Sequence, residues 1–112
     1  MDSYILLITS DSFGRGDENL GRKLMESYFY TLTEGDSLPS NIIFINAGVK
    51  LVIGGSDVLD NLRQLEERGV KISACGTCLD YYELKDKVAV GEVGNMYKTR
   101  DLLAEANKVI TI

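Results

Sequence analysis

The sequence predicts an α/β domain: a mostly parallel sheet of about five strands with helices on both faces. Three observations lead there. Short, nearly continuous apolar runs recur along the chain, segments with apolar residues at helical spacing separate them, and stretches rich in Gly, Ser and Asn punctuate the two. Continuous rather than alternating apolar runs mark strands covered on both faces, and alternation of strands with helices implies right-handed βαβ crossovers.

Tyr4 to Thr9 is the first such run and reads as the first strand. Ser10 to Gly16 is a polar, glycine-rich loop, and from Asp17, which suits a helix start, Leu20, Leu24, Met25, Phe29 and Leu32 fall at helical spacing. Gly35 to Ser40, with the only proline at Pro39, is a loop before a second buried strand, Ile42 to Ile45. Asn46-Ala47-Gly48 closes that strand, and Val49 to Ile53 fits a strand or a buried connection equally well. Ser56 or Asp57 suits the cap of a helix that turns Val58, Leu59, Leu62 and Leu65 inward, and Gly69 suits its stop. Val70 to Cys75 is the next strand. A short helix through Leu79 to Leu84, an apolar segment Val88-Ala89-Val90, a helix from about Met96 to Asn107 and a last strand from Val109 to Ile112 follow.

With 112 residues and 45% hydrophobic content, the chain supports one core and hence a single domain over residues 1–112. A formal charge of −5 disfavours nucleic acid and anionic lipid as partners. No apolar run approaches the roughly 20 residues of a membrane span, and the start lacks the basic region of a signal peptide, so the expected location is the cytoplasm. The absence of histidine disfavours serine-hydrolase triads and most catalytic zinc sites, and two thiols alone are half a zinc site. No cofactor or metal is implied.

In open parallel sheets, ligands and reactive groups gather at the carboxyl ends of the strands. Three segments fall there: Ser10 to Gly16, Asn46 to Lys50, and Cys75 to Cys78. The last is the expected chemical centre. If a helix begins near Thr77, Cys78 lies in its first turn, where free amides and the helix dipole favour an anion. Cys-x-x-Cys placement of this kind lowers a thiol pKa from about 8.5 into a range of ~3.5–7.5. Gly76 would let the backbone turn and a substrate sulfur approach, whereas Asp80 and Glu83 would oppose a thiolate. The competing reading makes both cysteines small buried hydrophobes at a strand end. A thioredoxin-like site is disfavoured, because no aromatic or proline stands inside the motif and no second proline is available to face it.

Several stretches taken together resemble one family: Gly14-Arg15-Gly16-Asp17, Tyr30-Thr31-Leu32-Thr33-Glu34, Ile43-Phe44-Ile45-Asn46-Ala47-Gly48-Val49-Lys50-Leu51, Cys75-Gly76-Thr77-Cys78-Leu79-Asp80-Tyr81-Tyr82 and Gly91-Glu92-Val93-Gly94-Asn95-Met96-Tyr97. They are similar to the DsrE-like domain of the YedF-type proteins of selenium metabolism, within the DsrE/DsrF-like sulfur relay family. The resemblance implies a three-layer α/β/α sandwich, assembly as a homo- or hetero-oligomer, with a homo-oligomer expected for this chain, and a cysteine after a central strand that carries sulfur as a persulfide. By the motif that carrier position matches Cys75, and Cys78 would resolve the persulfide, form a reversible disulfide or support the loop. The family's upstream TusA-like domain is not in this chain, which implies a separate TusA-like sulfur carrier as partner. Many relatives have glycine, often after arginine, where this chain has Glu83 after Tyr82.

The function expected is therefore that of a sulfurtransferase-like sulfur or selenium carrier. Its catalytic residues would be Cys75 and Cys78, and its substrate-binding residues Ser10, Gly14, Arg15, Gly48, Gly76 and Thr77. Two alternatives stand beside it: a non-catalytic oligomeric binding module with structural cysteines, and a flavodoxin-like binder of a small ligand using the first loop. That loop precedes a helix and could bind an anion through backbone amides with Arg15 adding charge, but it lacks the Lys-Ser/Thr ending of a P-loop. Tyr28, Phe29 and Tyr30 mark either a subunit contact or a core phenylalanine flanked by half-exposed tyrosines. Glu92 and Asn95 are read as flanking Gly94 in a loop, with Asn95 capping the helix after it.

Overall fold

Apolar, β-branched runs become the inner strands, as their burial on both faces requires, and short segments with exposed side chains pair at the two edges. In the computed structural model, which describes residues 3–112, these are β1 (Ile5–Ile8), β2 (Asn41–Phe44), β3 (Lys71–Cys75), β4 (Glu92–Gly94) and β5 (Val109–Thr111). The helices are α1 (Glu18–Glu34), α2 (Leu59–Glu67), α3 (Gly76–Tyr81) and α4 (Met96–Glu105). All strand pairs are parallel, in the order β4-β3-β2-β1-β5. The chain steps outward from β1 to β4 and then crosses the whole sheet through α4 to reach β5. With right-handed crossovers this reversal places α4 on the face opposite α1 and α2, which gives the three layers.

The register aligns Leu6 with Ile42 and Ile72, and Ile8 with Phe44 and Ala74. These side chains form the sheet's share of the main core, against Met25, Phe29 and Leu32 of α1 and Leu62 and Leu65 of α2. Phe29 stacks on Phe44 with ring centroids 6.3 Å apart. Tyr28 is half-buried against Phe13, while Tyr30 is exposed and donates to Glu34, so the aromatic cluster is a core phenylalanine with flanking tyrosines.

The inward face of α1 differs from the expected one. Leu20 and Leu24 are 53% and 44% exposed, and Gly21, Met25, Phe29 and Leu32 face inward. The small Gly21 lets the Ser10–Gly16 loop lie directly on the helix, with the Phe13 amide donating to the Gly21 carbonyl at 3.0 Å. Asp17 caps α1 by accepting from the Leu20 amide, and Asn95 caps α4 by accepting from the Lys98 amide, both at 2.9 Å, as expected. For α2 the cap position is Val58, with no side-chain cap; Ser56, two residues before it, accepts only from the Val58 amide, at 3.3 Å. Asn46–Val52 forms a 3₁₀ segment, which settles the ambiguous run as a buried connection, and Ile53 makes an antiparallel bridge to Val88. Glu92 and Gly94 lie in strand β4 rather than in a loop.

Helix α3 ends with the Leu84 amide on the Leu79 carbonyl at 2.8 Å and the Glu83 amide on the Asp80 carbonyl at 3.1 Å. This double closure requires a left-handed residue at its centre, and Glu83 supplies it with φ +57. A side chain in that conformation costs ~1–2 kcal/mol relative to glycine. Glu83→Gly is expected to raise stability by about 0.5–1 kcal/mol in chemical denaturation, the relief of strain exceeding the added chain entropy. A loss of stability would show that Glu83 makes an interaction outweighing its backbone strain.

Candidate functional site

Strand β3 runs into α3 with no intervening loop: Cys75 is both the last strand residue and the cap of the helix, with φ −61 and ψ 124. Its side chain joins the main core, and the residue is 7% exposed. Cys78 stands in the first turn of α3 and is partly open to solvent, packed on the edge of the same core. Both are free thiols. The Cys78 sulfur accepts a hydrogen bond from the backbone N–H of Asn46 at 3.1 Å.

Asn46 is held for this task at both ends. It takes φ +51 two residues after the last residue of β2, a conformation that asparagine tolerates better than most residues. Its side-chain oxygen accepts from the Tyr82 hydroxyl at 3.1 Å. Above the Tyr82 ring, 4.7 Å from its centre, sits the Lys50 ammonium. A chain of contacts thus runs from Cys78 through Asn46 and Tyr82 to Lys50, across the carboxyl ends of β3 and β2. Asn46, Tyr82 and Lys50 were not singled out from sequence as partners of the thiol. An asparagine closing a strand, where the backbone must turn to the left-handed region, is the signal that points to the first of them.

Burial pushes the Cys78 thiol above its usual pKa, interaction with the Cys75 side chain pushes the same way, and the Asn46 amide opposes both. The net direction is upward, against the expectation that the helix start would hold Cys78 as an anion. The physical reason is that the side chain leans on the core, where desolvation outweighs the few amides of a six-residue helix. Asp80 does not enter this balance, being turned to Lys85 at 3.1 Å.

The other expected site residues divide. Thr77 is exposed beside the cysteines. At Gly76 a Cβ would lie 3.1 Å from the Gly94 carbonyl, so this glycine lets β4 approach the start of α3. At Gly48 a Cβ would collide with the Ile8 carbonyl. Gly48 is buried there and locks the 3₁₀ segment onto β1, which leaves it no surface for a substrate. Ser10, Gly14 and Arg15 line a separate cavity of about 530 Å³, whose walls include Lys50 but neither cysteine.

A profile of the DsrE/DsrF-like family matches residues 2–112. The chain belongs to the DsrE/DsrF-like family. Membership implies a role related to sulfur relay. No curated protein matches the chain. Solved structures of the same fold include the ychN protein from E. coli, at 16% identity and TM-score 0.69, each chain covered in full. A protein of unknown function from Methanobacterium thermoautotrophicum aligns over both full lengths at 16% identity and TM-score 0.70. Another, from Bacteroides thetaiotaomicron, has 17% identity and TM-score 0.67 over 98% of this chain and 95% of its own. These likenesses bear out the DsrE-like three-layer architecture. Among the described residues no helix is long and apolar enough to cross a membrane.

Proposed function

We propose that this DsrE/DsrF-like chain carries sulfane sulfur, or its selenium counterpart, as a persulfide on Cys75, with Cys78 as the thiol that releases it. The observation that carries the reading is the placement of two free thiols three residues apart at the carboxyl end of an inner strand. One of them is sheltered in the core and the other is partly open and held by a backbone amide. In the loading step the Cys75 thiolate attacks the terminal sulfur of a donor persulfide, and the donor leaves as its thiolate. In the release step the Cys78 thiolate attacks the Sγ of Cys75, which forms the Cys75–Cys78 disulfide and expels the outer sulfur as hydrosulfide; a dithiol reductant then restores the two thiols. Alternatively, an acceptor thiolate takes the outer sulfur and regenerates Cys75 as a thiolate.

The donor or acceptor is a separate TusA-like carrier, and the chain works in the cytoplasm as a homo-oligomer. Exposed Leu20 and Leu24, one turn apart on α1, support the last point, since paired leucines in water favour a covering partner. The test is incubation of the reduced protein with a persulfide donor followed by intact-mass measurement. One added sulfur is expected on the native protein and on Cys78→Ser, where it should persist longer, and none on Cys75→Ser. A native protein that gains no sulfur overturns the proposal.

Burial of Cys75 favours one second reading, a binding module of the relay in which the cysteines serve packing alone. On that reading Cys75→Ser lowers stability in denaturant while the native protein takes up no sulfur.

A further inference from the structure

We propose that the cavity between the Ser10–Gly16 loop and Lys50 is a binding site for a small ligand bearing one oxyanion head, a phosphate, sulfonate or carboxylate. The inference does not rest on the cysteine chemistry, although Lys50, one of its residues, also stands over the Tyr82 ring at the edge of that site. At about 530 Å³ the space is within the range of about 300–1,000 Å³ typical of small-molecule sites. Three cations reach it from three elements: Arg15 from the loop, Arg22 from α1 and Lys50 from the 3₁₀ segment. In a chain of net charge −5 this convergence is local rather than general.

Among the described residues, Arg15 and Lys50 form no salt bridge, and Arg22 reaches Glu18 only at 4.0 Å with both side chains exposed. Such a pair holds its partner weakly and yields to a better anion. Asp11 and Glu18 also line the cavity, leaving a surplus of one positive charge (three cations less two carboxylates), which suits a single oxyanion head and disfavours a polyphosphate.

The loop is also preformed. The Ser10 hydroxyl accepts from the Ser12 amide at 3.1 Å and the Ser12 hydroxyl donates to the Gly14 carbonyl at 3.2 Å, so both serines serve the loop's shape. Gly14 and Gly16 take φ +86 and +141, which non-glycine residues rarely adopt. The amides of Gly14, Arg15 and Gly16 donate to no group among the described residues and remain available as donors. The end of α1 is not the anchor, for the Asp17 carboxylate already occupies it.

The experiment is a two-dimensional amide NMR titration of the full chain with inorganic phosphate, with sulfate and acetate as parallel arms and chloride at matched ionic strength as control. Saturable shifts are expected at residues 14–16 and 50 with phosphate, and their ranking against sulfate and acetate identifies which head the site prefers. Arg15→Gln and Lys50→Gln, both at exposed positions, should each weaken binding about tenfold. Shifts that fail to saturate, that chloride reproduces, or that survive the double substitution unchanged overturn the site. A native protein without persulfide uptake but with saturable phosphate binding would remove the cysteine proposal and leave this one standing.

Discussion

Phe29→Ala is expected to cost about 3–5 kcal/mol, the range for deleting a fully buried phenylalanine. The ring is wholly buried, stacks on Phe44 and meets the edge of Tyr28 with centroids 5.7 Å apart, so no solvent-facing path exists along which α1 could close the gap. Against a total stability of ~5–15 kcal/mol for such a domain, this is a large fraction. In denaturant the midpoint should fall while the slope stays constant, since the surface exposed on unfolding barely changes. Leu24→Ala on the same helix is the control: at 44% exposure in the single chain it should cost no more than about 0.5 kcal/mol of the subunit's own stability, and any further loss should vary with protein concentration, as the proposed subunit contact requires. Equal losses at the two positions would mean that α1 is rotated relative to the face described above.

That control also marks where the sequence misleads about packing. Leu20, Leu24, Met25, Phe29 and Leu32 all fit a helical period, and nothing in the pattern tells which leucines lie at the edge of the stripe. The loop before the helix lies on α1 at Gly21, so the inward face takes in Gly21 with Met25, Phe29 and Leu32, and Leu20 and Leu24 fall outside it. Strands covered on both faces are legible because their apolar runs are continuous; β4 is not, because Glu92, Val93 and Gly94 form an edge strand with two exposed side chains. Its place in the sheet comes from pairing with β3, a long-range fact without a local signature.

The cysteine motif and its position at a strand end are legible because Val70, Ile72 and Ala74 mark the strand before it and the helix after it is short. The environment of the thiols is not. Whether a sulfur in the first turn of a helix faces amides or core depends on how that helix sits on its neighbours, and here Leu79 is wholly buried and draws α3 inward. Nor does spacing show that Asn46, thirty-two positions away, donates to Cys78. Such a pair forms only because β2 and β3 are neighbours in register and both end at the same edge of the sheet.

The raised Cys78 pKa has a measurable consequence in pH. Only the thiolate is alkylated, and below the pKa its fraction rises tenfold with each pH unit. In the native fold Cys78 is therefore expected to react with iodoacetamide more slowly at neutral pH than in the unfolded chain, and to keep accelerating above the usual thiol value of about 8.5, where the unfolded chain levels off. Because the folded pKa lies above the unfolded one, the protonated thiol favours the native state. That contribution is fully present below the unfolded pKa and is lost as pH rises through the folded one, so stability should decline in the alkaline range. Cys75→Ala removes one of the two causes that raise the pKa while leaving burial and the Asn46 amide in place. Cys78 in that variant should react faster than in the native protein at neutral pH, with its profile shifted toward lower pH. If the variant's profile coincides with the native one, the two thiols do not interact, and release of sulfur by Cys78 loses its geometric basis.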